Sequence, residues 1–222
     1  MHLTLTKLNQ TKNKVNDIVA KKQLKIKPKI IVITKTFPLD SIIPVLESGH
    51  IHYGENKVQE AENKWLKVKY NYTNLQLHMV GALQSNKAKR AIKLFDYIHS
   101  LDSRKLALKL SQAEKELNKK IKFFIQVNIA NEKQKSGINL DTLDDFYNYC
   151  VNELSLNVIG LMCLPPLESK SQKYFQLLKD LALKLNLNEL SMGMSDDFEE
   201  AILTGSTFLR LGTLIMGKRK SI

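Results

Sequence analysis

Hydrophobic and polar residues follow two alternating patterns along this chain. Short apolar runs, rich in β-branched side chains, predict buried strands. Eight such runs occur, at Ile30–Thr34, Ile51–Tyr53, Leu77–Val80, Tyr97–Ser100, Lys122–Asn128, Asn157–Cys163, Glu189–Met192 and Phe208–Gly212.

Amphipathic stretches with helical spacing separate these runs. They predict helices at Leu39–Ser48, Asn56–Lys69, Asn86–Leu94, Ser103–Asn118, Leu140–Asn152, Ser169–Asn186 and Ser195–Thr204. The segment Val15–Lys21 and its flanks predict one extra helix before the first strand. Four polar residues are placed to cap helix starts, namely Asp40, Ser103, Asp141 and Ser195.

Eight strand–helix alternations in 222 residues predict a single α/β domain over residues 1–222, folded as a (β/α)8 TIM barrel. An open, doubly wound parallel sheet is the rival architecture. Neither a G-x-G-x-x-G nor a G-x-x-x-x-G-K-[ST] motif follows any strand. This absence argues against the usual nucleotide-binding folds and favours the barrel.

Composition narrows the class of protein. Hydrophobic residues make up 43% of the chain, enough for a sizeable core, and Cys163 lies in an apolar run. Two cysteines, Cys150 and Cys163, provide neither a disulfide framework nor a metal-ligand cluster. The sequence shows no signal-peptide pattern and no apolar run of membrane-spanning length. We therefore expect a cytoplasmic protein that does not associate with membranes.

The net charge of +12 raises the question of nucleic-acid binding. Residues 1–29 hold eight lysines and a single acid, Asp17, whereas the whole chain has four arginines. Recognition of base edges and phosphates favours arginine. We interpret the lysines as a solvated surface rather than a specific nucleic-acid site. The alternative, an RNA-binding module, would show a steep salt dependence of binding.

Lys35 is the basic residue in the most apolar surroundings, because it closes the buried run Ile30–Thr34. Desolvation at a strand end lowers the pKa of a lysine and frees its amine as a nucleophile, as a Schiff base requires. The alternative is that the side chain extends from the strand end into water.

Strand ends seven and eight carry small residues suited to a phosphate site, namely Ser191, Gly193, Gly212 and Thr213. The alternative is that these glycines only form tight turns. Asp196 and Asp197 would repel a phosphate at the next helix, so we place the anion on Ser191–Met192 and Gly212–Thr213. Together with Lys35 and Arg210, these groups match a pyridoxal 5'-phosphate (PLP) site.

Several motifs strengthen this interpretation. They are Ile33-Thr-Lys35-Thr36, Tyr53-Gly-Glu-Asn56 with Gln59-Glu60, His78-Met-Val-Gly81 with Gln84-Ser-Asn-Lys87, His99-Ser-Leu-Asp102-Ser103, Val127-Asn128 with Lys135-Ser-Gly137, Gly160-Leu-Met162, Leu190-Ser-Met-Gly-Met-Ser195 and Arg210-Leu-Gly-Thr213. In these stretches the chain resembles, over nearly its whole length, the YggS/PROSC family of PLP homeostasis proteins.

The resemblance implies a barrel like the N-terminal domain of alanine racemase, the fold-type III class of PLP proteins, with PLP as a Schiff base on Lys35. It implies that Arg210 lies near the pyridine nitrogen and that further residues line or anchor the cofactor, namely Asn56, His78, Ser191, Met192, Gly212 and Thr213. His78 has an alternative role as a hydrogen-bonded core histidine, and Arg210 as a structural residue paired with a carboxylate.

Members of the family are regarded as PLP carriers or regulators of vitamin B6 pools, without an established catalytic reaction. The resemblance therefore implies a monomeric carrier with PLP-dependent apoenzymes as acceptors and no metal. A PLP-dependent amino-acid racemase is the alternative, but such an enzyme adds a β domain for which we expect no room after strand eight. One departure is Phe37, which stands where the family often has a second lysine.

Overall fold

The strands form a closed parallel barrel in the computed structural model, which describes residues 2–132, 134–166 and 170–218. Each strand pairs with its neighbours in chain order, and β1 also pairs with β8. The strands are β1 (Lys29–Ile33), β2 (His52–Glu55), β3 (Gln76–Met79), β4 (Tyr97–Leu101), β5 (Lys122–Val127), β6 (Val158–Cys163), β7 (Glu189–Ser191) and β8 (Phe208–Leu211). The predicted TIM barrel is thereby confirmed, with strand ends shifted by one or two residues.

Helices surround the barrel on the outside. They are α1 (Leu3–Lys21), α2 (Ile43–Glu47), α3 (Val58–Asn71), α4 (Ala88–Leu94), α5 (Arg104–Leu117), α6 (Leu143–Asn148), α7 (Gln172–Lys184), α8 (Phe198–Thr204) and α9 (Thr213–Met216). Short 3-10 turns precede three of them, at Leu39–Ser41, Ser85–Lys87 and Leu140–Thr142, and a π turn at Tyr149–Glu153 follows α6. The predicted helix at Ser169–Asn186 begins at a residue outside the described ranges.

The extra N-terminal helix is present and is longer than predicted. It begins at Leu3, and its buried face consists of Thr4, Leu8, Thr11 and Val15 at helical spacing. Two of these four positions are threonines, which weakened the apolar pattern in the sequence. The helix packs against α2, α8 and α9, so it belongs to the outer layer of the barrel.

Of the four predicted helix caps, one is confirmed. The Ser103 hydroxyl accepts a hydrogen bond from the first turn of α5 at 3.4 Å. Asp40 and Asp141 lie inside 3-10 turns instead of before them, so the prediction of capping was wrong there. It was also wrong for Ser195, because Asp197 precedes α8 and the Ser195 hydroxyl accepts from the Leu214 N–H.

The barrel interior is packed with side chains and is not a channel. An apolar cluster lies inside it, made of Ile31, Ile33, Tyr97, Phe124, Met162 and Phe208. Space is so short that a Cβ at Gly54 would lie 2.5 Å from the Ile33 side chain, and a Cβ at Gly160 only 1.9 Å from the Glu189 carbonyl oxygen. Any binding site must therefore lie at an end of the barrel.

None of the helices in the described part of the chain combines the length and the apolarity that crossing a membrane requires.

The packing of α1 predicts different effects for two leucines on that helix. Leu8 is fully buried, whereas Leu3 is 65% exposed. Leu8→Ala should lower the free energy of unfolding by about 2–5 kcal/mol, because it leaves a cavity. Leu3→Ala should change that free energy by less than about 0.5 kcal/mol. Urea unfolding of both variants measures the difference, and equal effects would show that α1 does not dock as described.

Candidate functional site

A cavity of about 490 Å³ lies at the carboxy-terminal end of the strands. Its wall includes five of the predicted site residues, namely Lys35, Asn56, Arg210, Gly212 and Thr213. These residues are far apart in the sequence and come from the ends of β1, β2 and β8. Other side chains complete the wall, among them Ile33, Phe37, Val80, Lys135, Leu164, Pro165, Met194, Ser195 and Asp196.

Lys35 lies in a turn that is held in an unusual conformation. β1 ends at Ile33, and Thr36 has a φ of 69°, in the left-handed region that β-branched residues rarely adopt. The Thr36 N–H donates to Glu60 Oε1, and Lys64 Nζ donates to the Thr34 carbonyl at 2.8 Å. The backbone is therefore fixed on both sides of Lys35. Lys35 itself follows the end of β1, is half-buried and lines the cavity wall.

A buried ion pair organises this turn. Glu55 is fully buried, and its Oε1 accepts from the Thr34 hydroxyl at 2.7 Å, from Lys64 Nζ at 2.8 Å and from Trp65 Nε1 at 2.9 Å. Only 8% of the Lys64 side chain is exposed. Buried charges are tolerated when they are paired and hydrogen-bonded. Here Oε1 makes all three contacts, and Oε2 has no hydrogen-bond partner among the described residues. The pair joins the ends of β1 and β2 to α3.

Arg210 is buried although it lies on the cavity wall. Its Nη1 donates to the Ser191 hydroxyl at 2.8 Å and its Nη2 to the Cys163 carbonyl at 2.9 Å. Desolvation lowers the pKa of Arg210, but a guanidinium stays protonated in proteins. Both bonds go to neutral oxygens, so these contacts do not make Arg210 one half of a structural ion pair.

Three predicted site residues lie away from the cavity wall. His78, Ser191 and Met192 are fully buried. The Ser191 hydroxyl accepts from Arg210, and His78 is hydrogen-bonded to two other histidines. The structure connects Ser191 to the cavity through Arg210. As cofactor ligands, the three residues remain predictions.

The loops after β7 and β8 are joined to each other. The Ser195 hydroxyl accepts from the Leu214 N–H at 3.2 Å, next to Gly212 and Thr213. The Asp197 carboxylate accepts hydrogen bonds from the Met194 N–H at 2.6 Å and from the Ser171 hydroxyl at 2.9 Å. These bonds hold it in the loop between β7 and α8. Asp196, by contrast, lies on the cavity wall.

The residues that hold the Lys35 turn and Arg210 in position were not predicted from the sequence. Glu55 and Glu60 occurred within the motifs of the resemblance, but nothing in the sequence showed that they hold the Lys35 turn. The spacing of Glu60 and Lys64, four residues apart on one helix, was the one available signal for a contact. Trp65 and His99 have partners distant in sequence and gave no such signal.

Comparison with known proteins agrees with this geometry. The family model described as "Alanine racemase, N-terminal domain" matches residues 8–220. The Pyridoxal phosphate homeostasis protein of Escherichia coli (strain K12) is 34% identical over 199 residues, which cover 86% of this chain and 85% of that protein. The chain belongs to the pyridoxal phosphate homeostasis protein family.

Other members and neighbours show the same relation. The Pyridoxal phosphate homeostasis protein of Synechocystis sp. is 36% identical over 200 residues, covering 86% of this chain and 91% of that protein. The structure of PipY from Synechococcus elongatus PCC7942 with PLP bound has 32% identity and a TM-score of 0.79, and covers 91% of this chain and 100% of PipY. An alanine racemase from Corynebacterium glutamicum, at 15% identity and a TM-score of 0.65, covers 93% of this chain and 60% of the racemase, and shows the fold alone.

The ion pair behind Lys35 yields a stability prediction. Lys64→Met should lower the free energy of unfolding by about 3–5 kcal/mol, because it leaves the Glu55 carboxylate buried without its cation. The double variant Glu55→Gln/Lys64→Met should recover part of this loss. Lys67→Met, at an exposed position of the same helix, is the matched control. If Lys64→Met and Lys67→Met unfold at the same urea concentration, the buried pair does not stabilise this turn.

Proposed function

We propose that this chain binds PLP in the cavity, with Lys35 as the attachment residue, and acts in PLP homeostasis. The observation that carries the proposal is that the cavity brings together the Lys35 amine, the Arg210 guanidinium and the Gly212–Thr213 loop. Family membership supports it, as does the bound PLP in PipY, a relative at 32% identity.

The wall of the cavity suits an anionic cofactor with an aldehyde. When bound, PLP supplies three groups. Its aldehyde carbon reacts with an amine, its phosphate carries negative charge, and its ring nitrogen accepts a hydrogen bond. Arg210 contributes a cation to the wall and Lys35 an amine, whereas Lys135 is ion-paired with Glu132. A volume of about 490 Å³ lies in the range of small-molecule sites.

Arg210 supports a carrier role over catalysis. A guanidinium has donors only, so Arg210 favours an unprotonated, accepting ring nitrogen. PLP enzymes that stabilise carbanions commonly place a carboxylate at that nitrogen, which keeps the ring an electron sink. The two hydrogen bonds of Arg210 to Ser191 and Cys163 hold it in place. A racemase of similar fold tolerates such an arginine only with well-placed acid–base partners. We propose that the chain is a carrier, and the amino-acid screen below decides between carrier and racemase.

Phe37 gives this cavity an apolar side chain where relatives often have a lysine. It lines the cavity, is half-buried and packs against the core. Lys135 is the other lysine that lines the cavity, and its Nζ is ion-paired with Glu132. The proposed recipients of the cofactor are PLP-dependent apoenzymes.

A spectroscopic titration tests the proposed function. Adding PLP should produce a visible absorption band with the wild type and with Lys57→Ala, an exposed control, but not with Lys35→Ala. Pyridoxal, which lacks the phosphate, should bind more weakly, since each charge-assisted hydrogen bond lost costs roughly 1.5–3 kcal/mol. Far-UV circular dichroism should show the same fold for all three proteins.

Two results would contradict the proposal. An unchanged band in Lys35→Ala would remove Lys35 as the attachment residue, and equal affinities for PLP and pyridoxal would remove the phosphate site. The PLP-loaded wild type should also racemise and transaminate common amino acids at background rates. Robust turnover in that screen would assign the chain to the enzymes.

A further inference from the structure

A row of three histidines, the half-buried His52 and the fully buried His78 and His99, runs through the barrel interior and ends at the cavity arginine. His52 Nδ1 lies 3.0 Å from His78 Nε2, and His78 Nδ1 lies 2.9 Å from His99 Nε2. His99 Nδ1 lies 2.8 Å from the Ser191 hydroxyl, to which Arg210 donates at 2.8 Å. The row thus connects His52, the first residue of β2, with the carboxy-terminal rim.

Aromatic rings hold the two inner histidines in place. His78 stacks on Tyr97 and His99 on Phe124, each pair with ring centroids 4.3 Å apart and planes at 14°. Phe208 contacts all three histidine rings from the side. The ring orientations are therefore set by packing, and only the placement of protons is left for the hydrogen bonds to decide.

Arg210 and the single Ser191 proton together give the row its direction. A guanidinium can only donate, so one lone pair of the Ser191 oxygen accepts from Arg210, and the acceptor that these partners offer the Ser191 proton is His99 Nδ1. His99 must then carry its proton on Nε2 and donate to His78 Nδ1. By the same step, His78 donates from Nε2 to His52 Nδ1. The opposite direction would leave the Ser191 proton without an acceptor among these partners.

Burial, together with nearby cations, keeps the histidines of the row neutral. Lys29 and Lys122 lie at the His52 end of the barrel and face His52; Lys29 is also near Glu189. At the other end, the Arg210 guanidinium is the cation that acts on His99. Tyr97 stacks on His78 between them. Burial and these cations lower the pKa of His52 to about 4, and hold the pKa values of His78 and His99 well below their usual range. His50 adds a further neighbouring imidazole. One tautomer should persist throughout the physiological pH range.

We propose that His52, His78 and His99 form a one-way hydrogen-bond relay that positions Arg210, with His99 as the residue that accepts from Ser191. In this relay His78 and Ser191 act behind the cavity wall as positioning residues. The consequence for cofactor affinity rests on the proposed function, whereas the direction of the relay does not.

Nitrogen-15 NMR of the cofactor-free protein tests the direction. The chain has five histidines, which single-site variants assign. We expect His52, His78 and His99 to be neutral and protonated on Nε2 between pH 6 and 8, and Tyr97→Phe, which keeps the stacked ring, to leave this pattern unchanged. A proton on His99 Nδ1, or a charged His78 or His99 at pH 7, would overturn the relay.

Two substitutions at His99 then separate positioning from mere packing. His99→Asn loses the bond to His78, but its Oδ1 is an acceptor that needs no partner to fix a tautomer, so it can accept from Ser191 where Nδ1 did. His99→Phe keeps the ring stack but has no acceptor. The relay predicts that PLP affinity stays within about twofold of wild type for His99→Asn and falls roughly five- to tenfold for His99→Phe.

Stability should show the reverse order, because asparagine loses the stack on Phe124. If PLP affinity follows stability in both variants, His99 only packs and the positioning role is wrong. A wild type that does not bind PLP would contradict the proposed function, and the NMR result would still decide the direction of the relay.

Discussion

Closure of a parallel sheet into a barrel is the constraint on which the whole site depends. It brings the carboxy-terminal ends of all eight strands to one rim, while the side chains inside the barrel leave no continuous channel. Lys35 and Arg210 are 175 positions apart in numbering, yet β1 and β8 are hydrogen-bonded neighbours. The barrel thus places an amine and a guanidinium on one cavity wall without any local sequence signal linking them.

Two polar networks fix the orientation of the residues that the barrel brings to this rim. The Glu55–Lys64 pair anchors the turn that carries Lys35, and the histidine row anchors Arg210. Each network buries charged or polar groups, which is costly unless every partner is in place. Such networks contribute less to net stability than to a single, fixed geometry at the rim. A fixed amine and a fixed donor suit a protein that holds its cofactor.

Much of the fold and part of the site could be predicted from the sequence, because the spacing of apolar residues reports which positions are buried. Strand periodicity and the rule that function gathers at the carboxy-terminal rim were enough to choose Lys35 and Arg210. The full length of α1 was not predicted, because two of its buried positions, Thr4 and Thr11, are polar residues. The roles of Lys64 and His99 escaped because their partners are defined by distances in space. The positions of His78 and Ser191 behind the wall are defined by contacts with His99 and Arg210 on other strands, which periodicity does not report.

Reduction with borohydride, followed by peptide mass mapping, is the most direct test of the central claim that the Lys35 turn holds PLP. Borohydride converts the link between an amine and PLP into a stable bond, so the modified lysine can be located. We expect a single labelled peptide, and it contains Lys35. A label on Lys135, which shares the cavity wall, or on the exposed Lys57 would contradict it.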